Sequence, residues 1–250
     1  MGEKLLRFVK RQKGGFRLLK TYVAFDLETT GLSETKDHII EIGALKVIDG
    51  KVQERFSQFV KPPEPISPLI TNLTGITNKM VANARPTEEI IAAFMKFCGE
   101  NVLIGHNIMF DYKFMKIYAK EYGHRFEHSG IDTLKIARKV HKDLESKSLG
   151  ALCEHYQIEN QAAHRAYHDA LATAKLYHCL GHYFQEKESK LFEPQPLFYR
   201  PKKEQRITWK QKEYLQKLSG WYGIELSEDL EMMSRGDASR LIDTILKQYS

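Results

Sequence analysis

Residues 21–32, TYVAFDLETTGL, decide the fold. Tyr22 to Phe25 open a short strand on apolar side chains, and Asp26 and Glu28 follow two positions apart. Successive strand side chains alternate between faces, so both carboxylates project from the same face. Their neighbours Phe25 and Leu27 are apolar, which marks the strand as a central one. Two carboxylates side by side in a mostly buried strand repel and desolvate each other. A metal cation is the most economical remedy, and carboxylate oxygens specify a hard ion, Mg²⁺ or Mn²⁺, rather than zinc. The plainer alternative is that strand ends often carry acids that point into water.

The pattern continues outward from that strand. HIIEIGALKVIDG (38–50) and KVQERFSQFVKP (51–62) meet at Asp49-Gly50, a strong hairpin signal. Val52, Phe56 and Phe59 give the later strand an imperfect apolar alternation. KPPEPISPLITNLTGIT (61–77) holds four prolines and reads as irregular. Helical spacing begins near Thr87, a plausible N-cap with Glu88 and Glu89 in the first turn and an apolar face of Ile90, Ile91, Phe94 and Phe97. Residues 101–105 form a short buried strand, and a helix capped by Asn107 runs to about 122. Another strand ends near Asp132 with helices after it, and a long helix covers about 167–184. Strands first, then strand–helix–strand–helix, indicate an α/β protein with a mixed sheet.

The paired acids have company. Asp111 lies in GHNIMFDYKFM (105–115), just past the buried strand and in the first turns of a helix, where the helix N-terminus favours an anion. Phe110 and Phe114 beside it supply core. Asp169 lies in HRAYHDALATAKLY (164–177), among Ala166, Ala170, Ala172 and Ala174. Small residues around an acid let the helix approach other backbone closely, which suits a packed acid. His164 is five positions before Asp169, roughly 140° away on one continuous helix. It therefore belongs in the loop before the helix, free to swing towards whatever Asp169 binds. A histidine beside a metal site is a natural general base for activating water.

FDLETTGL (25–32), GHNIMFD (105–111) and HRAYHDA (164–170) resemble the three exonuclease motifs of the DnaQ-like superfamily, the DEDD 3′→5′ exonucleases. That group includes the proofreading epsilon subunit of DNA polymerase III and the exonuclease domain of PolC-type polymerases. The similarity covers about 20–185 and includes LTGITNKMV (73–81). It implies a ribonuclease H-like mixed sheet with flanking helices. It makes Asp26, Glu28, Asp111 and Asp169 the acidic ligands of two divalent ions, Mg²⁺ or Mn²⁺. One subfamily has tyrosine four residues before the last aspartate, where this chain has Arg165. The other has histidine five before, which is His164, so the chain resembles the histidine type with His164 as general base. Asp132 and Asn107 are expected to support the site without ligating metal. Thr29, Gly31, Leu73, Thr74, Gly75, Ile76 and Phe110 are expected to line the pocket for the terminal nucleotide. The implied reaction releases 5′-mononucleotides from single-stranded 3′ ends, in proofreading or repair, with a DNA polymerase as a possible partner. RNA-trimming members share all five catalytic residues; LTGIT and the appended tail lean towards DNA. The rival of another class is a non-catalytic nucleic-acid or polymerase-interaction module.

Four segments are expected: a basic extension (1–20), the exonuclease domain (21–187), a proline-containing linker (188–205) and a small helical module (206–250). The extension carries seven basic side chains against Glu3, and reads as either an electrostatic arm or a solvated tail. In the linker, Gln195-Pro196-Leu197-Phe198 resembles the short peptides by which bacterial replication proteins hold the sliding clamp, which must be extended and exposed. The tail holds both tryptophans, Trp209 and Trp221, in two helices of about 208–219 and 236–248. Seven basic residues between Arg200 and Lys217 suggest a nucleic-acid surface. The competing reading puts the aromatics in the tail's own core. The formal charge of +6 suits a polyanionic partner. The scattered Cys98, Cys153 and Cys179 exclude a CxxC zinc site. The opening residues lack a secretory signal and no apolar run spans a bilayer, so a cytoplasmic location without membrane contact is expected.

Overall fold

The computed structural model describes residues 18–160, 162–201, 205–226, 230 and 232–249. The basic extension therefore lies outside the described residues except at its end. There Leu18 and Leu19 pack on the core and the Leu19 N–H donates to the Tyr177 hydroxyl at 3.1 Å. The chain divides into two compact units, Met1–Tyr199 and Arg200–Ser250.

The first unit is built on one mixed sheet. Its strands are β1 (Tyr22–Thr29), β2 (Ile39–Ile48), β3 (Lys51–Phe59), β4 (Leu103–Gly105), β5 (Ser129–Asp132) and β6 (Gln195–Pro196). They lie in the order β3-β2-β1-β4-β5-β6. β1, β4 and β5 are mutually parallel, while β2, β3 and β6 run antiparallel to their neighbours. Asp49 and Gly50 both adopt positive φ, 51° and 78°, the turn that matches the strand twist of a tight hairpin.

Alternation along β1 divides the core. Val23, Phe25 and Leu27 face one cluster, closed by Ile90, Ile91 and Phe94 of α3 (Thr87–Cys98) and by Tyr112, Phe114 and Met115 of α4 (Met109–Glu121). Tyr22 and Ala24 face the other. That side is closed by α5 (Thr133–Val140), α6 (Leu149–His155) and the long α7 (Ala166–Phe184). Asp26 and Glu28 continue the second set, so they stand on the face that α7 covers.

Three local expectations are corrected. The proline-rich stretch is not irregular throughout, because α1 (Pro68–Thr74) and α2 (Asn78–Val81) form within it. Pro68 sits in the first turn, where a missing N–H is harmless, the Ser67 hydroxyl accepts from the Ile70 N–H, and Gly75 ends the helix at φ 70°. Neither Thr87 nor Asn107 caps its helix. Pro86 and Ile108 hold those positions without a side-chain bond, and Asn107 is in the left-handed region at φ 65°. The segment expected as a linker is structured as far as Tyr199. After a turn at Ser189–Phe192, β6 pairs with β5, the Leu197 N–H donates to the His128 carbonyl at 2.8 Å, and Leu197 is buried in the core. Prolines 194 and 196 fit because an edge strand needs donors on one side only. Leu197 is thus not available as an exposed clamp-binding peptide.

The second unit contains α8 (Trp209–Tyr222) and α9 (Arg235–Tyr249). α8 opens with a reciprocal capping box between Thr208 and Gln211. Leu215, Leu218, Ala238 and Ile245 form its core. No helix among the described residues is long and apolar enough to cross a membrane.

Candidate active site

Four elements converge on one cleft of about 380 Å³. β1 contributes Asp26 and Glu28, the start of α4 contributes Phe110 and Asp111, the start of α7 contributes Asp169, and the preceding loop contributes Asn160 and His164.

Each acid is held by its element. β4 pairs with β1 only at Val23 and Ala24, which leaves the Leu27 N–H beyond the end of the ladder. Asp111, buried in the first turn of α4, accepts that N–H at 3.0 Å and so ties the helix to the strand. Asp169 accepts from the Asn160 amide at 2.6 Å and from the His164 backbone N–H at 2.9 Å. These two bonds close the loop over α7. His164 occupies the left-handed region at φ 62° and its side chain is exposed. Ligand atoms of Glu28, His164 and Asp169 lie within 4.8 Å of one another.

Two residues that the motifs did not reveal fix this arrangement. Gly43 is the β2 partner of Asp26, and a Cβ there would overlap the backbone of Ala166 and Tyr167. The bare strand lets α7 begin directly above Asp26. Glu41 is the β2 partner of Glu28 and only 1% exposed. Both of its oxygens accept from the Arg165 guanidinium, at 3.0 and 3.1 Å, and one also accepts the Ala166 N–H at 3.1 Å. A bidentate pair of this kind is strong and directional, and it pins the residues that follow His164. The visible sign was an acid inside the apolar run HIIEIGALKV. We expect Gly43→Ala to destabilise the fold by about 1–3 kcal/mol, since backbone cannot yield to the added methyl as a side chain would. It should also lower kcat by displacing Asp169. Chemical denaturation and kinetics of the purified variant check this; wild-type values for both would show that α7 does not depend on the close approach.

Asp132 caps α5 through the Leu134 N–H and also accepts the Asn107 N–H, both at 2.9 Å. Asn107 lines the cleft. Thr29 is buried and its hydroxyl donates to the Gly31 carbonyl at 2.7 Å. Thr74 and Ile76 are buried and Leu73 is exposed; Ile76 packs on Ile40, next to Glu41. Thr29, Gly31 and Leu73 to Ile76 are not among the residues that line the cleft. His106, which follows Gly105 in the second motif, also lines the cleft, with its ring held by Thr133 and the Lys147 carbonyl, both at 2.9 Å.

The acids are under strain. Burial, then repulsion from Asp111, Asp169, Glu28 and Glu41, holds Asp26 well above the ordinary carboxylate range. Glu28 is pushed up to about 8 by burial and by Asp169 and Glu41, with Arg165 opposing. Burial raises Asp111 and Asp169 against the hydrogen bonds they accept. Asn160 Oδ1 is buried without a hydrogen-bond partner among the described residues. Clustered carboxylates that resist ionising together and an idle acceptor beside them fit a hard divalent cation.

A pH dependence follows. In the unfolded chain Glu28 loses its proton near 4.5, whereas in the folded protein it keeps it to about 8. Between those values the folded state binds more protons, so stability falls as pH rises. With a chelator present, the melting temperature should drop from pH 5 to 8 and Mg²⁺ should recover it most at the alkaline end. A melting temperature that rises across this window would contradict the strained cluster.

Residues 23–177 match the Exonuclease family. The chain is 43% identical over 156 residues to DNA polymerase III PolC-type of Caldanaerobacter subterraneus subsp. tengcongensis, covering 62% of this chain and 11% of that protein. It thus spans about a tenth of the length of the curated relatives it matches. Among solved structures it is similar to Exonuclease X in complex with 5′-overhanging duplex DNA (TM-score 0.56, 27% identity, 69% of this chain and 99% of that one). It also shares the fold of E. coli exonuclease I in complex with a dT13 oligonucleotide (TM-score 0.59, 19% identity, 70% and 43%). With its three acidic motifs gathered in one cleft on a mixed sheet, the chain belongs to the exonuclease family.

Proposed function

We propose that the chain removes 5′-mononucleotides one at a time from the 3′ end of single-stranded DNA. The observation that carries this reading is the convergence of Asp26, Glu28, Asp111, Asp169 and His164 on one cleft. The four carboxylates would hold two Mg²⁺ or Mn²⁺ ions, which supply charge neutralisation at the phosphate and acidify water. His164, exposed and carried on a loop fixed at both flanks, accepts the proton of the attacking water on its imidazole. Asn160 and the His164 N–H keep Asp169 oriented for ligation. Phe110, half-buried at the mouth of α4, offers a face to the terminal base. Thr29, Gly31 and Leu73 to Ile76 extend this wall in our reading, supported by the packing of Ile76 beside the end of β2 where Glu41 pairs with Glu28.

DNA is favoured over RNA by the PolC-type relatives and by the DNA-bound Exonuclease X, and the former make a DNA polymerase a natural partner. Matched single-stranded DNA and RNA, labelled at the 5′ end and incubated with Mg²⁺ or Mn²⁺, test the choice. We expect a ladder shortening stepwise from the 3′ end, faster on DNA. Faster trimming of RNA would assign the chain to the RNA-processing branch.

A further inference from the structure

The second unit closes its core without its tryptophans. Leu215 and Leu218 of α8 pack with Ala238 and Ile245 of α9, and Ile207, Tyr222 and Ile224 complete the cluster. Trp209 and Trp221 remain 72% and 67% exposed. Aromatic side chains of that size dominate cores and interfaces when they are used, and leaving both in water calls for an occupant.

The placement of their neighbours indicates which one. At about 100° per residue, Trp209, Lys210, Tyr214, Lys217 and Trp221 fall on an arc of roughly 140° opposite Leu215 and Leu218. All five are exposed. The cations of that arc are Lys210 and Lys217. Glu213 lies on the same arc with its side chain 40% exposed and pairs with Lys217 at 2.8 Å, a surface contact weak enough to yield to a phosphate. The tryptophans are twelve residues apart, about 18 Å along the axis, which is about five nucleotides at ~3.4 Å each. Lysines between stacking platforms are the chemistry of a sequence-tolerant single-strand surface: charge tracks the backbone and aromatic faces take unpaired bases. A protein interface is depleted in lysine, whereas here lysines stand between the rings.

We infer that the outer face of α8 is a second binding surface for single-stranded nucleic acid, built from residues distinct from those of the catalytic cleft. The inference rests on the reading of the chain as a nuclease. Its function would be to retain the strand between successive cleavages.

The chain supplies its own probe, because Trp209 and Trp221 are its only tryptophans. The full chain, with a chelator present, is titrated with oligothymidylate of thirty nucleotides while tryptophan emission is recorded. Saturable quenching that weakens with salt is expected. The Lys210→Glu, Lys217→Glu double variant keeps both fluorophores and should bind about tenfold more weakly, as befits two lost phosphate contacts. Its hydrolysis of a short oligonucleotide at saturation should stay at the wild-type rate. Unchanged emission while a labelled oligonucleotide binds by anisotropy would overturn the inference, and so would equal affinity of the double variant. Emission that shifts with protein concentration alone would instead assign the face to a second copy. If wild type hydrolyses nothing yet quenching is seen, the nuclease reading fails and the surface stands.

Discussion

Replacing Asp26 or Asp169 by Ala should lower kcat by ~10³-fold or more, equivalent to over roughly 4 kcal/mol of barrier, in a protein that still folds. Both parts follow from the same electrostatics. The carboxylates are held in a buried cluster that pushes each of them above its ordinary range, a crowding that the fold alone does not require. Removing one relieves repulsion between those that remain. Asp26→Ala is the cleaner variant, because Asp169 also anchors Asn160 and the His164 N–H. Leaving those two donors unpaired costs about 1–3 kcal/mol each where they are buried, so Asp169→Ala should melt lower than Asp26→Ala. Kinetics and thermal melting of both purified variants check this. Turnover close to wild type in either would remove the carboxylates from the chemistry.

His164→Ala should lower kcat by ~10²- to 10⁴-fold, the range of a general base, while divalent-ion binding persists because the acids are intact. His164 is the exposed member of the group whose ligand atoms lie within 4.8 Å of one another, and its backbone is fixed by Asp169 on one side and by the Glu41–Arg165 pair on the other. Ala at φ 62° is less comfortable than Asn, so His164→Asn controls for backbone strain. His168→Ala should be much milder. Raising pH should partly rescue His164→Ala, because hydroxide needs no base. If His168→Ala proves the more damaging change, the proton acceptor is the helical histidine.

Period-two alternation placed Asp26 and Glu28 on one face from the sequence alone, and the alanines around Asp169 signalled a closely packed helix. What stayed hidden was the other half of that contact. Gly43 lies 123 positions from Ala166 in the chain, and nothing local marks it as the place where a helix rests. Glu41 was visible as an acid in an apolar strand, but its partner Arg165 comes equally late. The prolines misled for a different reason. They were read as a lack of structure, whereas Pro68 at a helix start and Pro196 on an edge strand occupy positions that need no N–H. The tryptophans were ambiguous because helical spacing accommodates both a core and an outward face; the packing of Leu215 and Leu218 shows that the core closes without them.

This cleft is expected to hydrolyse the terminal phosphodiester at a 3′ end with the aid of divalent ions. Single-stranded DNA carrying a labelled 3′-terminal nucleotide tests it in the first turnover. With Mg²⁺, the label should appear at once as nucleoside 5′-monophosphate, and a chelator should abolish its release. Release as a 3′-monophosphate, release first within internal fragments, or release that persists at full rate under chelation would contradict the account.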